Sequence, residues 1–279
     1  MILEVCVDSV ESAVNAERGG ADRLELCGDL IVGGTTPSMA LFERVRERVN
    51  IPIHVLLRPR FGDFLYSKDE LEILIRQAKM FHNAGADTLV IGCLTKEGRL
   101  DMNANTRIIE AAATTPVNLH RAFDMCRNPK EALEDIIELG CTRILTSGLE
   151  ANAVTGIPML KELVEQADGR IIIMPGCGVN PKNIREIAES TGAVEFHFSG
   201  RSSYESGMIY RNSKVSMGGT VKIEEYQRDV TDPEIVKAAV NVLKQKDDID
   251  EANEKKNKEA RAKSKKKRNE FDDEDDDLD

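Results

Sequence analysis

The chain has 279 residues, which suits a single (β/α)8 barrel of about 250 residues with a short surplus. Apolar residues make up 41% of it, Trp is absent and no run of about 18 apolar residues occurs, so the core is expected to be aliphatic and no membrane-spanning helix is expected. The net charge is −11, of which the segment from residue 247 carries −5, and the acidic body that remains gives no general electrostatic basis for nucleic-acid binding by the barrel.

Taken in chain order, strands are expected over 2–6, 23–27, 53–58, 88–92, 117–120, 143–147, 171–174 and 195–198. Helices fill the gaps, over about 9–18, 37–48, 69–84, 103–113, 129–139, 153–167 and 181–190. Thr36-Pro37, Asn128-Pro129 and Asn180-Pro181 each place proline at a first helical position. A glycine followed by a strand-like run recurs at Gly20, Gly85, Gly140 and Gly192. Each of these glycines closes a helix-like stretch, where a left-handed cap is needed. A repeat of 52–65 residues is about two βα units, so four copies make eight units and one barrel.

Residues 199–230 break this rhythm and read as a long polar loop after the eighth strand, with Asp232 capping a last helix over about 233–246. The barrel domain therefore spans 1–246. Residues 247–279, basic and then acidic with little apolar content, read as a disordered tail. Within it, Lys263 to Arg268 matches a nuclear import signal as well as a solvated, solubilising stretch. The N-terminus enters a strand without the features of a signal peptide, and six cysteines in that context suit reduced thiols in the cytosol or nucleus.

Alternation along the strands sorts the barrel lining, because side chains of one strand point in and out by turns. Glu4 and Cys6 point inward from the first strand, Glu25 and Cys27 from the second, and His54, Leu56 and Arg58 from the third. Asn118 and His120 do so from the fifth, and Glu195, His197 and Ser199 from the eighth. A barrel interior is ordinarily filled by branched apolar side chains, so these ionic groups must pair, face water or hold a ligand. One arrangement is internal pairing of Glu4 or Glu25 with Arg58. The other is chemistry, in which Glu4, Glu25, Arg58, His120, Asp124 and His197 supply acid–base and anion-binding groups. In that reading His120 is a general acid or base and Arg58 clamps a carboxylate or phosphate. Ser147, Gly176, Gly178, Ser199 and Arg201, in the turns after strands six to eight, form a candidate anion cradle.

Cys6 and Cys27 fall at the ends of neighbouring strands about 4.8 Å apart, close to the span of two metal–thiolate bonds. Soft thiolates at low coordination suit Cu(I), which makes them a candidate copper pair. Cys93, Cys126 and Cys177 also lie near strand tops, and Cys141 at the opposite end.

Glu4-Val5-Cys6-Val7-Asp8-Ser9, Gly19 to Cys27, Gly33 to Ser38, Arg58-Pro59-Arg60, Gly62-Asp63-Phe64, His120 to Asp124, Thr146-Ser147-Gly148, Glu195-Phe196-His197 and Arg211-Asn212-Ser213 together resemble the CutC copper homeostasis family. The resemblance covers about residues 1–230 and looks closest to animal members. It implies a (β/α)8 barrel, a homo-oligomer (dimer or tetramer) and a cytoplasmic or nuclear location. It also implies that Cys6 and Cys27 match the cysteines proposed as Cu(I) ligands. Two departures stand out: Cys177 where the family has glycine, and the charged tail. The expected function is copper homeostasis with Cu(I) as partner. The alternative is a lyase, isomerase or hydrolase acting on a small anionic or phosphorylated metabolite.

Overall fold

The computed structural model describes residues 1–245 except 216 and 218–223, together with 247, 248 and 258. Eight parallel strands alternate with helices, beginning with β1 (Ile2–Val7), α1 (Val10–Gly19), β2 (Arg23–Leu26), α2 (Met39–Arg46), β3 (Ile53–Leu56) and α3 (Lys68–Asn83). They continue through β4 (Thr88–Ile91), α4 (Met102–Ala112), β5 (Val117–Leu119), α5 (Pro129–Glu138), β6 (Arg143–Thr146) and α6 (Ile157–Ala167). The last units are β7 (Ile172–Pro175), α7 (Ile184–Thr191) and β8 (Glu195–Phe198). Strand order runs β7-β6-β5-β4-β3-β2-β1-β8, with β7 and β8 lying side by side across the seam. This is the expected (β/α)8 barrel.

The four repeated glycines all adopt left-handed backbone, with φ between 77° and 91°, which a residue bearing a Cβ enters only at a cost. Local signals set most helix starts. Ser67 and Glu70 form a reciprocal capping box at α3, and Asn128 caps α5 with Pro129 just inside. The other two prolines lie outside their helices. Ser38 caps α2 after Pro37, and Asn180-Pro181 forms a turn ahead of α7, so these helices begin two or three residues later than expected.

Outward side chains Leu3, Val5, Leu24, Leu26, Ile53, Val55, Phe196 and Phe198 join one aliphatic core beneath the helices. Cys6, Cys27, Leu56 and Val90 form a separate small cluster inside the barrel. The alternation therefore sorts inside from outside as expected.

The segment after β8 is not simply a loop. Residues Arg201–Glu205 (β9) pair antiparallel with Gln227–Thr231 (β10), which leads into a last helix over 233–245 (α8). Asp232 caps that helix through Glu234 N–H. Most of the connection is described, and Met208, Ile209, Tyr210 and Met217 on it are exposed. The expected tail falls almost wholly outside the described residues.

Candidate functional site

The N-terminal half of the barrel interior is filled by ions that satisfy one another. Arg23 opens β2 and points inward, its Nε 2.6 Å from Glu4 and its Nη2 2.5 Å from Glu195. Arg143 reaches Glu195 at 3.0 Å, and His54 Nδ1 lies 2.8 Å from Glu4 Oε2, the oxygen that Arg23 Nε also meets. Glu4 is therefore paired with Arg23 and not with Arg58. Its burial would raise the carboxyl pKa, but the bonds from His197 and His54 and the Arg23 charge outweigh it and hold it well below the usual range.

Above this layer, His197 on β8 gives Nδ1 to Glu4 Oε1 at 2.8 Å and faces Glu25 with Nε2 at 3.7 Å. Burial opposes its charge, but contact with Cys6, Glu4 and Glu25 raises its pKa well above the ordinary imidazole value. Glu25 is pushed upward by burial and by the charge of Glu4, against the pull of His197. The Cys27 thiol, buried and 3.5 Å from a Glu25 oxygen, is raised further still. Cys6, Glu25, Cys27 and His197 form the floor of a cavity of about 850 Å³ open at the C-terminal ends of the strands. In the register of β1 and β2, Cys6 is level with Glu25, so Cys27 stands one inward layer higher than Cys6 and not at an equivalent position.

The wall holds Arg58 and His120. Arg58 spends Nη1 on the carbonyls of Gly34 (3.0 Å) and Val32, and Nη2 on that of Gly62 (2.8 Å). His120 Nδ1 accepts from Ala122 N–H at 3.1 Å, and burial together with the Arg58 charge lowers its pKa to about 3. It is thus a neutral imidazole, unsuited to the acid–base role expected of it. Asp124 reaches the lining, but its carboxylate accepts from Thr146, Ser147, Leu149 and Arg121, pinning the turn after β6.

The candidate anion cradle divides. Gly178, Ser199 and Arg201 line the cavity, whereas Ser147 and Gly176 do not. The Ser147 hydroxyl is taken up by Asp124 and the Glu150 carbonyl. A Cβ on Gly176 would come within 2.4 Å of Leu145, so this glycine serves packing. Cys93, Cys126 and Cys141 sit in the outer core. Among the described residues no group of three or more His, Cys, Asp or Glu is arranged to hold a metal ion. Arg23 and Arg143 escaped the sequence reading. Alternation with Glu25 and Cys27 could have placed Arg23 inside.

Fold and site together define a (β/α)8-barrel protein with a small-molecule-sized pocket at the C-terminal ends of the strands. The family model described as the CutC family matches residues 1–202, and the chain belongs to that family. A CutC family protein of Bacteroides fragilis is 52% identical over 243 residues, covering 87% of this chain and 97% of the relative. The human copper homeostasis protein cutC homolog is 51% identical over 234 residues, covering 83% and 85%. The crystal structure of a copper homeostasis protein CutC from Streptococcus agalactiae superposes with a TM-score of 0.68 at 32% identity, covering 71% of this chain and 98% of that one.

Proposed function

We propose that this chain takes Cu(I) as cargo at Cys6 and Cys27, in keeping with the copper homeostasis names of its relatives. The observation that carries this reading is the placing of two free, buried thiols in one small cluster on the floor of an open cavity. His197 lies against Cys6, and Cu(I) accepts a two-sulfur site. The test is an anaerobic Cu(I) titration against a competing chelator, on the wild type and on Cys6→Ser/Cys27→Ser. Tight binding lost only in the folded double variant is the expected result, and unchanged binding overturns the reading.

A second reading, an enzyme acting on a small anion, is favoured by the size of the cavity. A single ion needs only a small part of 850 Å³, a volume within the range of metabolite sites. Arg58 and Arg201 line it, and His197, oriented by Glu4, faces Glu25 across the floor. A proton moved between a substrate and this His197–Glu25 pair is the chemistry the floor supports. A screen of phosphorylated and carboxylated metabolites by thermal shift, followed by turnover assays on His197→Gln, tests it. A panel without a single stabilising ligand would sink this second reading.

A further inference from the structure

Two buried N–H groups in the cavity wall have no hydrogen-bond partner among the described residues, Nε of Arg58 and Nε2 of His120. A buried donor left unpaired costs on the order of 1–3 kcal/mol, so two in the wall of one cavity call for an explanation. Both residues line the cavity, with only 8% and 4% of their surface exposed. The ring of Phe64 touches both. Its centroid lies 5.1 Å from the Arg58 guanidinium carbon and 5.0 Å from the imidazole centroid of His120.

The orientation of the imidazole is fixed from behind. Nδ1 accepts the Ala122 N–H, so the ring proton resides on Nε2. The Cε1–Nδ1 edge lies against Gly92, where a Cβ would come within 2.5 Å of Cε1. The ring therefore cannot turn its other nitrogen toward the cavity without breaking the cap on the 3-10 turn at Arg121–Met125. Arg58 is similarly tied by both Nη atoms to the carbonyls of Gly34 and Gly62, and its Nε is the guanidinium nitrogen that makes no hydrogen bond among the described residues. A neutral donor beside a fixed cation suits an oxyanion, and the same imidazole could not act as a proton donor of ordinary acidity.

We propose that Nε2–H of His120 and Nε–H of Arg58 bind the oxygen atoms of a small oxyanion, a carboxylate or a phosphate, with the ring of Phe64 moving aside to admit it. This deepens the second reading by naming the group its ligand must carry. It does not require turnover, so anion binding without catalysis would separate the two.

The test uses the full chain with ring-15N-labelled histidine, titrated with inorganic phosphate and, separately, with oxalate. His120 is expected to read as the Nε2–H tautomer, and its Nε2 signal to shift on addition of at least one probe. Response to phosphate alone assigns a phosphoryl group, and response to oxalate alone assigns a carboxylate. His120→Asn places an amide oxygen where Nδ1 sits, which keeps the bond from Ala122 N–H while removing the Nε2 donor. Its affinity should fall roughly tenfold or more. Phe64→Ala should bind at least as tightly as the wild type. An Nδ1–H tautomer overturns the proposal. So does silence toward both anions in the wild type and in Phe64→Ala, or unaltered affinity in a folded His120→Asn.

Discussion

Cys6 stands level with Glu25 across β1 and β2, and Cys27 one layer above it. The offset places the two thiols in different surroundings. Cys6 meets His197, whereas Cys27 meets Glu25, whose carboxyl lies 3.5 Å from its sulfur. A copper ion shared by them would be approached obliquely, along the stagger of the barrel.

Burial and Glu25 raise the Cys27 pKa well above its ordinary value, so the thiol is protonated at neutral pH. Coordination must therefore release that proton. Apparent Cu(I) affinity is expected to rise about tenfold per pH unit for each proton released, measured by chelator competition at pH 6.5 and 7.5. Affinity independent of pH would mean that Cys27 is not a ligand.

The second expectation concerns the layer under the pocket. Arg23 is 6% exposed and neutralises two buried carboxylates, Glu4 and Glu195. Arg23→Met leaves both facing a gap, with only His54, His197 and Arg143 nearby. Removing one member of a buried ionic cluster costs about 3–5 kcal/mol, far more than the cluster adds over an apolar core. Denaturant unfolding should show that loss. Arg228→Met, which breaks the exposed pair with Glu11, should leave the midpoint unchanged.

The barrel was legible because both its periods were. Outward Val, Leu, Ile and Phe alternate with inward polar residues, and glycines mark the helix ends. What the sequence hid has physical reasons. β9 and β10 are mostly exposed on both faces and pair across a long connection, so neither alternation nor a short turn announces them. Asp124 looked reactive because its residue type is, yet four neighbouring elements of backbone and side chain consume its oxygens. The pairing of Arg23 in place of Arg58 depended on depth along the barrel axis, which alternation does not encode.

The neutral state of His120 has a consequence in acid. An unfolded histidine takes up a proton near pH 6.5, whereas in the folded chain uptake waits until about pH 3. Between those values the unfolded state binds more protons, so stability falls as pH is lowered through this window. From pH 7 to pH 5 the contribution of His120 is a loss of roughly 2 kcal/mol. The unfolding free energy of His120→Asn, measured over the same interval, should decline less steeply by about that amount. Parallel pH dependences in the two proteins would show that the imidazole titrates in the folded state.

The last prediction concerns the turn after β7. Cys177 has φ of 71°, in the left-handed region that an L side chain enters at a cost of about 1–2 kcal/mol. Its thiol recovers part of that through a contact with the Ala151 carbonyl at 3.3 Å. Glycine would relieve the strain but would also enlarge the unfolded ensemble, at about 0.5–1 kcal/mol. The net expectation is that Cys177→Gly raises stability by roughly 0.5 kcal/mol, and that Cys177→Val, which keeps the Cβ and adds a branch, lowers it. Cys177 is also the one cysteine not buried, and it lines the cavity. A maleimide should therefore modify it first, and a small anion seated in the cavity should slow that reaction. Labelling at Cys141 or Cys93 ahead of Cys177 would contradict this placing of the turn at the mouth of the site.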